Sequence, residues 1–327
     1  MLGFFAILKL IKIIFNIAII YRYKKSGDLM DILTFMQQMV NGFSLGSMYA
    51  LIAIGYTMVY GVLRLINFAH GDIMMVGAFL AYTFMAVFDL PFPLTVLLAV
   101  TISASFGMFM DKIAYKPLRE APKISLLITA IGISFFLENA FTVFLGGVPR
   151  AFPVPEYMEN IFNVAGVTFS FASIMVPIVT LFLLMGILYV LYKTKYGMAI
   201  RALSFDIKTV NLMGIDANTI IALVFGLGSG LAAVGGIFWA INYPSVEPMM
   251  GVLVGLKAFA AAVVGGIGSV SGAVVGGFII GFTEVVVIAF FPELGGYKDA
   301  FAFIFLILVL LFKPTGIMGE DLEKSRF

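Results

Sequence analysis

The residues able to do chemistry are few, and most are charges in places where a charge is costly. Asn67-Phe68-Ala69-His70-Gly71-Asp72 puts an amide, an imidazole and a carboxylate into one short run. Lys257 stands alone in Gly-Leu-Lys-Ala-Phe, and Glu284 stands alone in a long apolar stretch. Glu138-Asn139 interrupts another. Ionisable groups set among apolar residues on this scale are functional candidates by default. The chemistry they offer is non-covalent: lining or gating a polar path. Each also has a plainer reading. Asp72 can cap the following helix, with Gly71 making the turn. Lys257 can snorkel to an interface or pair with a carboxylate such as Glu284. Glu138 and Asn139 can make hydrogen bonds within a helix bundle.

Covalent chemistry finds little support. The chain has no cysteine and one histidine, which excludes disulfides, thiolate sites and multi-histidine metal sites. No Gly-x-x-x-x-Gly-Lys-Ser/Thr loop is present, so nothing in the sequence cradles ATP. Gly42-Phe43-Ser44-Leu45-Gly46 matches the nucleophile-elbow pattern. That pattern has meaning only on a strand-to-helix turn with a histidine and an acid close by, and here it lies in an apolar helix. Gly226-Leu227-Gly228-Ser229-Gly230 follows no strand and reads as helix packing.

The elements that must position these residues are membrane helices. Of 327 residues, 62% are hydrophobic and 12% charged, and the mean hydropathy is +1.10. Soluble domains sit near 45–50% apolar. The net charge of +2 points to no nucleic-acid or acidic partner. A bilayer core takes about 20 apolar residues as helix. Candidate spans are Ile32–Val62, Asp72–Phe88, Pro93–Met110, Ile124–Leu145, Phe171–Tyr192, Thr219–Ile241, Gly251–Gly265, Ser271–Phe291 and Asp299–Phe312. The expected fold is an all-α polytopic transmembrane bundle of about eight or nine spans, in which Gly251–Gly265 is short enough to re-enter rather than cross.

Loop charges set the orientation. The loop with Lys112, Lys116, Arg119 and Lys123 is basic, as is the longer one with Lys193, Lys195, Arg201 and Lys208. Both belong in the cytoplasm by the positive-inside bias, as does the tail after Lys313. The 146–170 loop, with Glu156 and Glu159, belongs outside. Residues 1–29 break the pattern: Lys9 and Lys12 interrupt an apolar run, and Arg22, Lys24 and Lys25 follow it. A peripheral amphipathic helix, or a start assigned too early with Met30 as the natural first residue, fits better than a span. The remainder, 30–327, reads as a single transmembrane domain.

Glycines recur at four-residue spacing: Gly42 and Gly46; Gly268, Gly272 and Gly276; Gly277 and Gly281. Small residues on one face let membrane helices approach closely. Gly265-Gly266-Ile267-Gly268-Ser269 is also suited to a non-helical turn, which at membrane depth must line protein or a water-filled path. The 193–217 loop is amphipathic, with Ala199, Ala202, Leu203, Val210 and Met213 near helical spacing. It reads after Gly197 as a helix, a turn and a second helix, and it is either a solvated connector or a docking surface.

The run from Gly46-Ser47-Met48-Tyr49-Ala50 through Gly55-Tyr56-Thr57-Met58-Val59-Tyr60-Gly61 to Asn67–Asp72 closely resembles the branched-chain amino acid permeases of ATP-binding-cassette importers, the "H" subunit in particular. Ala114-Tyr115-Lys116-Pro117-Leu118-Arg119, Lys257-Ala258-Phe259 and Pro314-Thr315-Gly316-Ile317 add to it. The resemblance runs from about residue 30 to the C terminus. It implies a multi-pass protein of the cytoplasmic (inner) membrane and alternating access in place of enzymatic chemistry. The expected partners are a second homologous permease subunit, two cytoplasmic ATP-binding subunits and an extracytoplasmic substrate-binding protein. The chain itself would carry no cofactor, ATP and Mg being bound by those partner subunits. Gly197, Arg201, Ala202, Asp206 and Gly214 would belong to the ATPase-coupling segment, and Asn67, His70, Asp72, Lys257 and Glu284 remain pathway or gate candidates. Leucine, isoleucine and valine are the expected substrates; related permeases for urea, short amides or other amino acids look alike. An ion-coupled secondary transporter would need more intramembrane acids than Glu138 and Glu284.

Overall fold

A computed structural model describes residues 32–164 and 166–319. The expectations for residues 1–29, for Met30 and for the last residues of the tail lie outside that range. The described chain is helical, in the order α1 (Ile32–Leu63), α2 (His70–Ala86), α3 (Phe92–Met110), α4 (Lys123–Leu145), α5 (Phe171–Lys193), α6 (Lys195–Leu203), α7 (Ile207–Leu212), α8 (Ala217–Asn242), α9 (Met250–Gly265), α10 (Val270–Phe290) and α11 (Lys298–Phe312). Seven of the described helices are long and apolar enough to cross a membrane. With α2 at 17 residues and α9 at 16, they make up the expected polytopic bundle.

Several of the helices start where a short polar side chain accepts from a free N–H group. Ser170 accepts from the Ser173 N–H at the head of α5, and Ser269 from the Gly272 N–H at the head of α10. Along their length the helices are apolar on every face, as membrane spans are.

The connections gather at two ends. At one end, Arg119 donates to Asn218 Oδ1 over 2.7 Å, which joins the two basic loops. Gly268 approaches Gly61 at the end of α1. At the opposite end, β1 (Arg150–Ala151) pairs antiparallel with β4 (Ser245–Val246). A second hairpin, β2 (Ile161–Val164) with β3 (Val167–Ser170), reaches Gln37 near the start of α1, whose Oε1 accepts from the Thr168 N–H. The chain from β4 through α9 runs from that end to the Gly268 end, so this segment crosses the bundle rather than re-entering.

Helices α1, α8 and α10 form the centre: 89%, 83% and 67% of their apolar stretches are buried. In α3, α4 and α5 the figure is 22%. Glycine explains the central contacts. A methyl group added at Gly281 would strike the main chain of Gly46, and one at Gly277 that of Ala50. The four-residue glycine spacing in α1 and α10 is therefore the seam between them. The Gly266–Ser269 turn is non-helical, as expected, with Gly266 and Gly268 at φ 113° and 99°, where side chains are strained. The tail finishes it. The Ile317 and Met318 N–H groups donate to the Val264 and Gly265 carbonyls over 2.9 and 2.8 Å, satisfying acceptors that the end of α9 leaves open.

Candidate functional site

Three groups of residues answer the sequence candidates. The first begins with Lys257 and Glu284. Glu284 lies fourteen residues into α10, and Lys257 lies in the second turn of α9. Lys257 Nζ sits 3.0 Å from Glu284 Oε2 and 2.9 Å from Asp299 Oδ1. Lys298 Nζ sits 3.2 Å from Glu284 Oε1. Tyr49 of α1 donates its hydroxyl to Glu284 Oε2 over 2.7 Å, and the Lys257 ammonium lies 5.2 Å from the Tyr49 ring centre. Lys257 and Glu284 are almost completely buried, so Lys257 does not snorkel. Two cations and two anions balance, and the network ties α1, α9, α10 and α11 together.

The second group surrounds Asp72. The chain leaves α1 at Leu63, and the next residues run back into the bundle. His70 packs against Gly55 and Gly228, and Asp72 meets Ser134. Ser134 is eleven residues past the start of α4, a rise of about 16 Å. Helix α2 thus starts near half depth instead of at the basic end. Non-helical backbone is tolerated there because protein surrounds it. Asn67 Oδ1 accepts from the Tyr115 hydroxyl over 2.7 Å, and Tyr56 meets His70 edge-on with ring centres 4.6 Å apart.

The capping role read for Asp72 and Gly71 is corrected here. Ala69 occupies the cap position of α2, with no side-chain bond. Asp72 lies within the first turn, where its charge suits the helix dipole, and its side chain turns to α4. Gly71 is helical and presses against Gly251 and Gly255, so the first turns of α2 and α9 meet on glycine. Ser134 Oγ is 2.5 Å from Asp72 Oδ2 and 3.3 Å from Glu138 Oε1, so one hydroxyl bridges two carboxylates. Among the described residues, no basic side chain pairs with either. Asp72 Oδ1, His70 Nε2 and Asn67 Nδ2 have no hydrogen-bond partner there. Asn139 donates to the Phe135 carbonyl over 2.7 Å and plays no part in the cluster.

The third group is the 193–217 loop at the basic end. Thr194 caps α6, so this helix starts at Lys195, before Gly197, where the sequence suggested a start after it. Gly197 lies inside it, pressed on the main chain of Val190 and Leu191. Arg201 projects to the surface 5.2 Å from the Tyr192 ring centre, and Ala202 is half-buried. Asp206 Oδ2 accepts from Thr209 over 2.6 Å at the head of α7. Gly214, at φ 81°, turns the chain towards α8. Asp216 then caps α8, accepting from Thr219 Oγ1 and the Asn218 N–H. Those two bonds hold its carboxyl below the usual aspartate value. Tyr196, Met198, Phe205, Leu212 and Met213 are all at least 60% exposed, an apolar face that water alone does not favour.

Sequence reasoning missed Tyr49, Tyr115, Ser134, Lys298 and Asp299. Lys298-Asp299, an adjacent charge pair heading the last span, was the one visible signal among them.

Residues 38–310 match the family model described as "Branched-chain amino acid transport system / permease component". The chain belongs to this family. The permease is 42% identical over 308 residues to the high-affinity branched-chain amino acid transport system permease protein BraD of Pseudomonas aeruginosa, covering 90% of this chain and 99% of that protein. It is 39% identical over 310 residues to LivH of Escherichia coli, covering 89% and 98%. The ribose import permease protein RbsC of Haemophilus influenzae is 27% identical over 244 residues, covering 72% of each. No solved structure matches the chain. The permease is a multi-pass membrane protein, as its apolar helices and these relatives agree.

Proposed function

We propose that residues 30–327 form a single permease domain that carries leucine, isoleucine and valine across the inner membrane by alternating access. Energy comes from ATP hydrolysed on two cytoplasmic subunits. A second homologous permease completes the pathway, and an extracytoplasmic binding protein delivers substrate. This chain performs no covalent chemistry. The observation that carries the reading is the exposed apolar face of α6 and α7 at the basic end of a permease that has no phosphate-binding loop of its own.

The geometry supports the following roles. The α6–α7 segment is fastened to the bundle at both ends, by Gly197 on α5 and by Asp216 on α8. A push on its exposed face therefore tilts two spans together. Gly197, Arg201, Ala202, Asp206 and Gly214 belong to this coupling element. Asn67, His70 and Asp72, at half depth with polar atoms unpaired, line the path. Lys257 and Glu284 hold the spans that frame it. Contacts to the zwitterion are weak, because tight binding would slow release.

Leucine uptake in cells lacking their own importer, with the partner subunits co-expressed, tests the reading. Uptake that stops on ATP depletion and survives collapse of the proton gradient supports it. Uptake by this chain alone that dies with the gradient refutes it in favour of secondary transport. Within the assembled importer, Arg201→Glu or Asp206→Lys should leave assembly intact while ATP turnover continues without uptake. Normal uptake by both variants would remove the coupling role.

A further inference from the structure

A cleft of about 330 Å³ opens at the basic end, between the end of α1 with residues 64–66 and the first turn of α4. Its walls are mostly apolar, with Leu63, Ile66, Ile124 and Leu127 among them, and two cations, Arg64 and Lys123, line it as well. Neither cation has an acidic partner among the described residues. Arg64 is half-buried at the cleft, and Lys123 is exposed at its rim.

Two further features favour an anion here. Helix α4 has no side-chain cap, so the positive end of a 23-residue helix faces the cleft beside Lys123. Arg64 closes α1 at φ 52°. The left-handed closing position of a helix is one that glycine fills without strain and arginine does not. A side chain kept there against its backbone preference has a use. The surroundings specify what kind of anion. Ile124 and Ile128, on the first turns of α4, are 58% and 62% exposed, so an apolar strip continues from the cleft up the outer surface of the helix. A soluble anion has no use for that strip, whereas an acyl chain does.

We propose that this cleft binds the headgroup of an anionic phospholipid of the inner leaflet. Arg64 and Lys123 take the phosphate, and an acyl chain runs along Ile124 and Ile128. Basic pockets between spans at the cytoplasmic surface are suited to such headgroups. The site is distinct from the coupling segment and from both buried charge groups. It does not depend on which substrate the permease carries.

The test uses the full-length protein, purified in mild detergent and supplied with phosphatidylglycerol or phosphatidylcholine, with retained lipid counted by native mass spectrometry. Phosphatidylglycerol should be retained over phosphatidylcholine by about 25-fold, roughly fivefold for each cation. In Arg64→Gln/Lys123→Gln that preference should vanish. In Lys112→Gln/Lys116→Gln, which removes the same charge from the neighbouring loop, it should persist. Should the first double variant fold poorly, Lys123→Gln alone should lose about fivefold, since its exposed side chain holds no packing together. Equal retention of the two lipids, or an equal fall in the loop variant, overturns the proposal. So does displacement of phosphatidylglycerol by equimolar glycerol phosphate, which would mark a site for a soluble anion.

Discussion

The two buried charge groups sit in one bundle and obey opposite logic. Around Lys257, every charge has a partner and the sum is zero. Around Asp72, one hydroxyl serves two carboxylates, and among the described residues no cation joins them. Taking charges out of water costs several kcal/mol each, and only good geometry with full pairing offsets it. The Lys257 network meets that condition and acts as a fixed hub on four helices. The Asp72 group does not. The path-lining role proposed above rests on these unpaired groups at half depth, where the backbone of residues 64–69 is already non-helical. The same fold thus stores rigidity in one charge group and adaptability in the other.

The largest expected break in that contrast is Lys257→Met. It leaves Asp299 short of a partner and Glu284 with one cation fewer, and it should cost about 3–5 kcal/mol, read as lost yield and a lowered thermal midpoint. Adding Glu284→Gln should recover part of the loss. If the double variant is no more stable than the single one, charge balance is not what holds the hub. Next is Tyr49→Phe, which deletes one hydrogen bond to a buried carboxylate and should cost about 1.5–3 kcal/mol in the same assay. Asp72→Asn should cost less than about 1 kcal/mol, because it removes a charge that no cation satisfies, yet leucine uptake should fall by at least about tenfold, one step of roughly 1.4 kcal/mol in the barrier. A stability loss as large as that of Lys257→Met would erase the distinction.

The smallest effect lies in water, at Asp216. Its folded value is lower than the ordinary 3.8 because Thr219 and the Asn218 N–H bond the charged form. The stabilisation is therefore complete above the ordinary value. It is lost as the pH falls through the lower folded one. Acid unfolding curves of Asp216→Ala should lack this step, while curves of wild type should keep it.

Much of this was legible in the residues. Span positions follow from hydropathy, since a helix in lipid must be apolar along its whole surface. Pairing of Lys257 with Glu284 was one of two readings open to Lys257, beside snorkelling, since each is the lone charge in its span. What escaped was depth. Asn67–Asp72 reads either as a turn and cap at the cytoplasmic end or as a segment that dips inward, and nothing in its letters decides between the two. The inward dip is imposed by Gly55, Gly228 and Gly251, which leave room for His70 and Gly71 and lie far away in sequence. Ser134 was invisible for a related reason: a serine in a span usually bonds its own helix, and only the fold aims this one at Asp72. The Gly42–Gly46 and Gly277–Gly281 pairs were legible as packing glycines, but their pairing with each other was not.

The clasp of Ile317 and Met318 on the last carbonyls of α9 bears on how the protein is made. The carbonyls that those donors satisfy belong to a helix delivered some fifty residues earlier. Until synthesis reaches the tail, the turn between α9 and α10 is held by its own glycines and by whatever water it can keep. This turn is therefore completed late, by a closing stitch. A chain that stops short of residue 316 should insert all its spans and still be cleared by quality control.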